Sequence, residues 1–199
     1  MAQRSLSATG RSVSRATRVA ASAGVGVLAA AVGYLVTYLL VVDEVREAFG
    51  DSVADWMGVA WYYYNAHFVE IEAYGEVGGF SRTDTVDLIA QSETTSSVAA
   101  YAIPPLVLVA VGAILASQFD ARNLGEAVLV GAPVTIGYAV VMGLGAIIAE
   151  SSTEASFFGI DAAESMAPEL LPAVVLGGVL YPVVFATAGA VAAALIRSQ

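Results

Sequence analysis

Four stretches of this chain run for about twenty residues or more with no charged side chain past their first residue, and no other feature of the sequence limits its folding so strongly. The first covers 19–42, the second 98–117, the third 127–149, and the fourth runs from Glu169, which opens it, to Ile196. At about 1.5 Å of rise per residue, a helix of that length crosses a hydrocarbon layer roughly 30 Å thick. A water-soluble domain of 199 residues has too much surface for its volume to hide an apolar content of 58%. Lipid has no such limit. The reading is therefore an all-α bundle of four transmembrane helices in the cell membrane.

The arginines orient this bundle. All eight basic residues are Arg. With the amino terminus in the cytoplasm, Arg4, Arg11, Arg15, Arg18, Arg122 and Arg197 lie inside, and only Arg46 and Arg82 lie outside. That is the asymmetry the positive-inside rule asks for, and it places both termini in the cytoplasm. Every acidic residue except Asp120 and Glu126 then faces outward. A signal peptide is the competing reading of the first stretch, but its apolar run is too long and no A-x-A site follows. Residues 1–18 form an Arg- and Ser-rich tail, 19–197 a single membrane domain, and 43–97 a long outer loop.

Net charge is −10, which disfavours a nucleic-acid partner. With no cysteine, disulfides, thiolate metal sites and thiol catalysis are excluded. An acidic chain without lysine resembles proteins of salt-loving archaea. In molar salt the Debye length falls to about 3 Å, so crowded carboxylates repel one another little and keep the surface hydrated.

The outer loop holds the most distinctive residues, Trp56 to Phe68. Ser52 as a cap and Asp55 in the first turn predict a helix over about 52–69. Its Trp and Tyr content suits a membrane boundary, so the helix is expected to be interfacial or re-entrant. Trp61, Tyr62, Tyr64, Asn65 and His67 form the candidate functional cluster, the mouth of a site if one exists. A structural anchor explains the same residues. His67 is the only histidine, and Glu70 and Glu72 are its nearest candidate co-ligands for a metal; no metal or cofactor is expected from this set. Pro104, Pro105, Pro133 and Pro182 are expected helix breaks, each freeing a carbonyl. The spans carry many glycines, which allow helices to approach closely in lipid.

An internal repeat is visible. Pro105 to Gly112 in the second span has the spacing of Pro182 to Gly189 in the fourth, and Gly33-Tyr34 in the first matches Gly137-Tyr138 in the third. The pattern suggests a duplicated helical hairpin, with the long first outer loop as an insertion.

Five pieces carry a resemblance. They are Gly33-Tyr34-Leu-Val-Thr-Tyr38, Trp61-Tyr-Tyr-Tyr-Asn65-Ala66-His67-Phe68, Pro104-Pro105-Leu-Val-Leu, Gly137-Tyr138 and Tyr181-Pro182-Val-Val-Phe185. Together they resemble a family of haloarchaeal multi-pass membrane proteins of unknown function, loosely labelled transporters. The resemblance implies a source and a topology and no chemistry.

Three functions stay open on the sequence. The first is a non-enzymatic membrane component or accessory subunit, working with the lipid bilayer and with copies of itself or other membrane subunits. The second is a small-solute transporter or channel using the proline-broken helices. The third is an interfacial enzyme using His67.

Overall fold

The computed structural model describes residues 15–157 and 160–197; the first fourteen residues, with Arg4 and Arg11 of the basic tail, lie outside that range. Helix α1 (Arg15–Phe49) is followed by a 3-10 turn (Gly50–Ser52) and α2 (Asp55–Asn65). A hairpin of β1 (Ile71–Val77) and β2 (Phe80–Val86) leads through two short helices, α3 (Leu88–Gln91) and α4 (Thr95–Ala100), into α5 (Ile103–Gln118). Then come α6 (Leu124–Gly131), α7 (Val134–Ile148), a second hairpin of β3 (Ser151–Phe157) and β4 (Ile160–Pro168), and α8 (Leu170–Pro172). A π-helical segment (Ala173–Leu180) joins α8 to α9 (Tyr181–Arg197).

Among the described residues, four helical runs are long and apolar enough to cross a membrane: Ala16–Ser52, Thr95–Gln118, Leu124–Ile148 and Leu170–Arg197. Only 28 to 39% of the most apolar window of each is buried; the rest is half-buried or exposed, and Leu28, Leu39, Leu106 and Leu171 point outward. Outward-facing apolar surface on this scale is compatible with a lipid solvent and costly in water.

Prolines divide three of these runs. Pro104 and Pro105 occupy the first turn of α5, where a missing N–H leaves no bond unmade. Pro133 stands at the junction of α6 and α7. Pro182 opens α9 directly after the π-helical segment, where Tyr181 N–H reaches back five residues to the Leu176 carbonyl. The proline ring would crowd the carbonyl four residues before it, and the wider π winding gives that carbonyl room.

The bundle is held by two glycine crossings of the same design. A methyl placed on Gly112 would lie 1.9 Å from the Ala186 carbonyl oxygen, and one on Gly189 would lie 2.1 Å from that of Val109. Likewise a methyl on Gly26 would strike the Val134 carbonyl and one on Gly137 that of Ala23. In each pair, the glycine of one helix meets the carbonyl three residues before the glycine of the other. The reciprocity gives each crossing a local two-fold relation. Backbones this close exchange dispersion and weak Cα–H···O contacts, the association mode open to helices in lipid.

Both pairs are parallel. Arg197 donates to the Ala116 and Ser117 carbonyls, which brings the ends of α5 and α9 together, and Ala30 and Met142 line one cleft above the α1–α7 crossing. The Pro-to-Gly match between spans two and four thus coincides with a packing match. For spans one and three the packing counterpart of Gly137 is Gly26; Gly33 instead lies against Tyr63.

The all-α expectation is corrected by a four-stranded antiparallel sheet, in the order β2-β1-β4-β3, built from both loops at one end of the bundle. Gly75 pairs with Arg82 on one side and Glu164 on the other, so β1 and β4 form the sheet centre. Gly78 and Gly79, both at positive φ, close the first hairpin, as its two-residue turn requires. These strands are short and rich in Ser, Thr and Glu, with little apolar alternation to mark them. Their order also departs from a simple repeat, which would place β3 where β4 stands.

Gly112→Leu or Gly137→Leu must push a helix off a backbone carbonyl and is expected to cost about 2–4 kcal/mol. Gly24→Ala, with no neighbour within 4 Å, should be neutral or slightly stabilising. Thermal unfolding of the detergent-solubilised variants measures both.

Candidate functional site

The helix carrying the candidate cluster starts later than its sequence suggests and lies deeper. Its N-cap is Ala54, while the Ser52 hydroxyl donates to the Phe49 carbonyl. From Gly58 to Asn65 every residue is buried, so α2 is inserted into the bundle rather than laid on its surface. It crosses α1. The Trp56 carbonyl meets the Tyr34 hydroxyl while Gly58 packs on Val45, positions about 16 Å apart along α1 at 1.5 Å per residue. Gly33 and Gly58 permit the crossing, since side chains there would strike Tyr63 and Val45.

The five cluster residues point to different places. Trp61 donates its indole N–H to the Ala149 carbonyl at 2.8 Å, at the end of α7. Tyr64 donates to the Met142 carbonyl at 2.6 Å. Asn65 donates to the Val69 carbonyl at 2.8 Å and accepts from the Leu88 N–H at 2.8 Å, fixing the chain where it leaves α2 and where it enters α3. Tyr62 turns the other way and donates at 3.2 Å to Glu44. That carboxylate also receives the hydroxyl of Thr94 at 2.6 Å and those of Ser92 and Ser97, tying the α3–α4 segment to α1.

His67 is fully buried, and its hydrogen bonds fix its tautomer. Nδ1 lies 2.7 Å from the Tyr63 carbonyl, which only accepts, so Nδ1 carries the proton. Nε2 must then accept from the Tyr138 hydroxyl at 2.8 Å. Tyr138 has spent its one proton, so it accepts from Tyr63, whose hydroxyl lies 2.6 Å away. The result is a ring of bonds running Tyr63 hydroxyl to Tyr138 to His67 and back to the Tyr63 carbonyl.

That carbonyl is an end-of-helix group left free because the His67 N–H bonds Tyr64 instead. The imidazole caps it. Tyr63 and Tyr181 sit against the ring with centroids 4.7 and 4.9 Å away, and Gly177 of the π-helical segment leaves room for it. Burial pushes the His67 pKa down to about 4, which keeps the ring neutral. Burial likewise raises the phenols of Tyr63 and Tyr64, which remain donors.

Neither ring nitrogen has a lone pair to spare for a metal. Among the described residues no group of three or more His, Asp or Glu side chains is placed to hold one. Tyr63 and Tyr138, the partners of His67, were outside the sequence cluster. The signal that could have found Tyr138 is a phenol in the middle of an apolar span, which needs a buried partner.

Beside α2 lies a cleft of about 270 Å³ between α1 and α7, lined by Ala30, Ala31, Tyr34, Trp56, Met142 and Gly145 among others. On the sheet, Glu76, Glu154 and Asp161 surround a separate open groove of about 500 Å³.

A family of unknown function, DUF7978, matches residues 1–197. The chain belongs to this family. No curated protein and no solved structure matches the DUF7978 chain. Membership carries no assigned chemistry.

Tyr138→Phe leaves His67 Nε2 and the Tyr63 hydroxyl without partners and is expected to cost about 1–3 kcal/mol; Tyr63→Phe in the same background should cost less than it does alone. The unfolded chain takes up a proton near the ordinary histidine value of about 6.5, and the folded chain only near 4. The His67 contribution should therefore be whole above pH 6.5 and fall away as the pH drops toward 4. Melting temperature against pH, for the parent and for His67→Gln, checks the sign.

Proposed function

We propose that this DUF7978 protein is a non-enzymatic integral membrane component: four spans with both termini in the cytoplasm, an acidic sheet outside the cell, and an accessory or structural role beside other membrane subunits. The observation that carries this reading is the use made of the aromatic helix. Its Trp, Tyr and Asn side chains from Trp61 to Asn65, and the hydroxyls of Tyr34, Tyr138 and Tyr181, are spent on backbone groups, on the Glu44 carboxylate, on His67 or on one another inside the protein. A catalytic or transport site needs groups that remain available to a substrate.

The charges support the orientation. Arg18, Arg122 and Arg197 lie at the end of the bundle opposite the sheet. At the sheet end Arg46 and Arg82 are both taken by aspartates, Arg46 by Asp43 and Asp55, and Arg82 by Asp84. The remaining carboxylates give the outer face a strong negative field. Such a face suits molar salt, where a Debye length of about 3 Å weakens its self-repulsion, and it selects cationic partners.

Small-solute transport is the second reading, and one feature favours it. The eight-residue π-helical segment, flanked by Pro172 and Pro182 and packed on His67 through Gly177, is a helix interruption of the kind found at moving or ligand-binding points. An enzyme built on His67 would need a free ring nitrogen.

The absence of cysteine makes the topology directly testable. Thr83→Cys on β2 should react with a membrane-impermeant maleimide on intact cells, and Gly125→Cys should react only after lysis. The reverse pattern removes the proposed orientation. Cross-linking in native membranes should then yield a stoichiometric complex with another membrane protein. Recovery of the chain alone, with solute flux once it is reconstituted in vesicles, would instead establish transport.

A further inference from the structure

The cleft between α1 and α7 follows from the way the bundle is built. The two helices touch at Gly26 and Gly137 and diverge toward the sheet end, where α2 lies in the fork. α2 does not fill the fork completely. Small residues at Ala30, Ala31, Ala60 and Gly145 leave about 270 Å³ open along its side.

The walls have two properties that together select an occupant. First, the hydroxyls that border the cleft are already committed: Tyr34 to the Trp56 carbonyl, Tyr63 to Tyr138, and Tyr64 to the Met142 carbonyl. Water entering would find no free hydroxyl, and it would give up hydrogen bonds with little in return. Second, Ile148 of α7 lines the cleft and is more than half exposed, as are Leu35 and Leu144, the chain neighbours of the lining residues Tyr34 and Gly145. A space open to lipid and lined by hydrocarbon is filled by what surrounds it.

We infer that this cleft is a binding groove for a single hydrocarbon chain of a membrane lipid, seated between α1 and α7 against Trp56 and the aromatic face of α2. The inference rests on the membrane reading above and adds a ligand class and a place. The chain would complete the packing of the fork, contributing through dispersion against Trp56 and Met142. Its head group would lie at the sheet end, beyond the groove.

The chain contains two tryptophans. Trp56 lines the cleft and is 44% exposed, whereas Trp61 is sealed in the core. The protein is reconstituted in vesicles whose acyl chains carry bromine, a contact quencher of indole emission. Trp56→Phe identifies the share of the signal that belongs to Trp56. The expected result is loss of Trp56 emission in brominated vesicles, and partial recovery in Ala31→Leu, which fills the groove from its exposed rim. A Leu39→Trp reporter, on the open surface of α1, should be quenched equally with and without Ala31→Leu. If Leu39→Trp is quenched while Trp56 is spared, or while Trp56 is quenched regardless of Ala31→Leu, the groove holds no chain and the membrane reading stands. If Leu39→Trp is not quenched at all, the membrane reading falls and this inference with it.

Discussion

A backbone carbonyl cut off from water and from a donor is among the most costly groups a protein can bury. This bundle creates several of them by ending helices inside itself. α2 ends within the fold at Asn65, α7 ends at Ile148 against it, and α9 starts from an interrupted helix. The aromatic side chains are distributed to meet those ends. The indole of Trp61 reaches the Ala149 carbonyl, the imidazole of His67 covers that of Tyr63, and the Tyr181 hydroxyl approaches that of Ala66. Each combines a polar tip for the carbonyl with an apolar body for the surrounding helices. That combination is why Trp, Tyr and His occur together on one short segment.

The glycine crossings and the aromatic helix depend on each other. Gly26 against Val134 and Gly137 against Ala23 bring α1 and α7 into backbone contact at one level, and rigid helices in contact at one point diverge elsewhere. Large side chains are then needed in the fork, and α2 brings Trp61, Tyr63 and Tyr64 to it. The α5–α9 pair has the same crossing, through Gly112 and Gly189, but among the described residues no counterpart of α2. The difference between the two pairs therefore comes from the segment between α1 and α5, which holds α2. The sheet extends it: β1 leaves directly from the end of α2 and takes the central place beside β4.

Reading His67 as a cap changes what its rarity means. A lone histidine between aromatic residues invites a chemical interpretation, yet the direction of its hydrogen bonds follows from the Tyr63 carbonyl being an acceptor only. With that proton placed, the remaining ring of donors and acceptors has one solution. The residues that complete it, Tyr63 and Tyr138, are separated by 75 positions in the chain and become neighbours only when α7 packs on α2.

Sequence alone determined the four apolar runs, because uncharged stretches of that length favour long helices, and it determined the segment on which the aromatic cluster sits. It also held the Gly78-Gly79 turn, a hairpin signal overshadowed by the polar, weakly alternating strands around it. The tertiary structure decided the rest. It sank α2 into the fold, since whether a Trp–Tyr helix lies on a boundary or within a bundle depends on a fork that two distant glycines open. It paired β1 with β4 and chose Gly26 over Gly33 as the counterpart of Gly137. Periodicity is a property of neighbouring residues, and these choices are made by contacts between elements far apart in the chain.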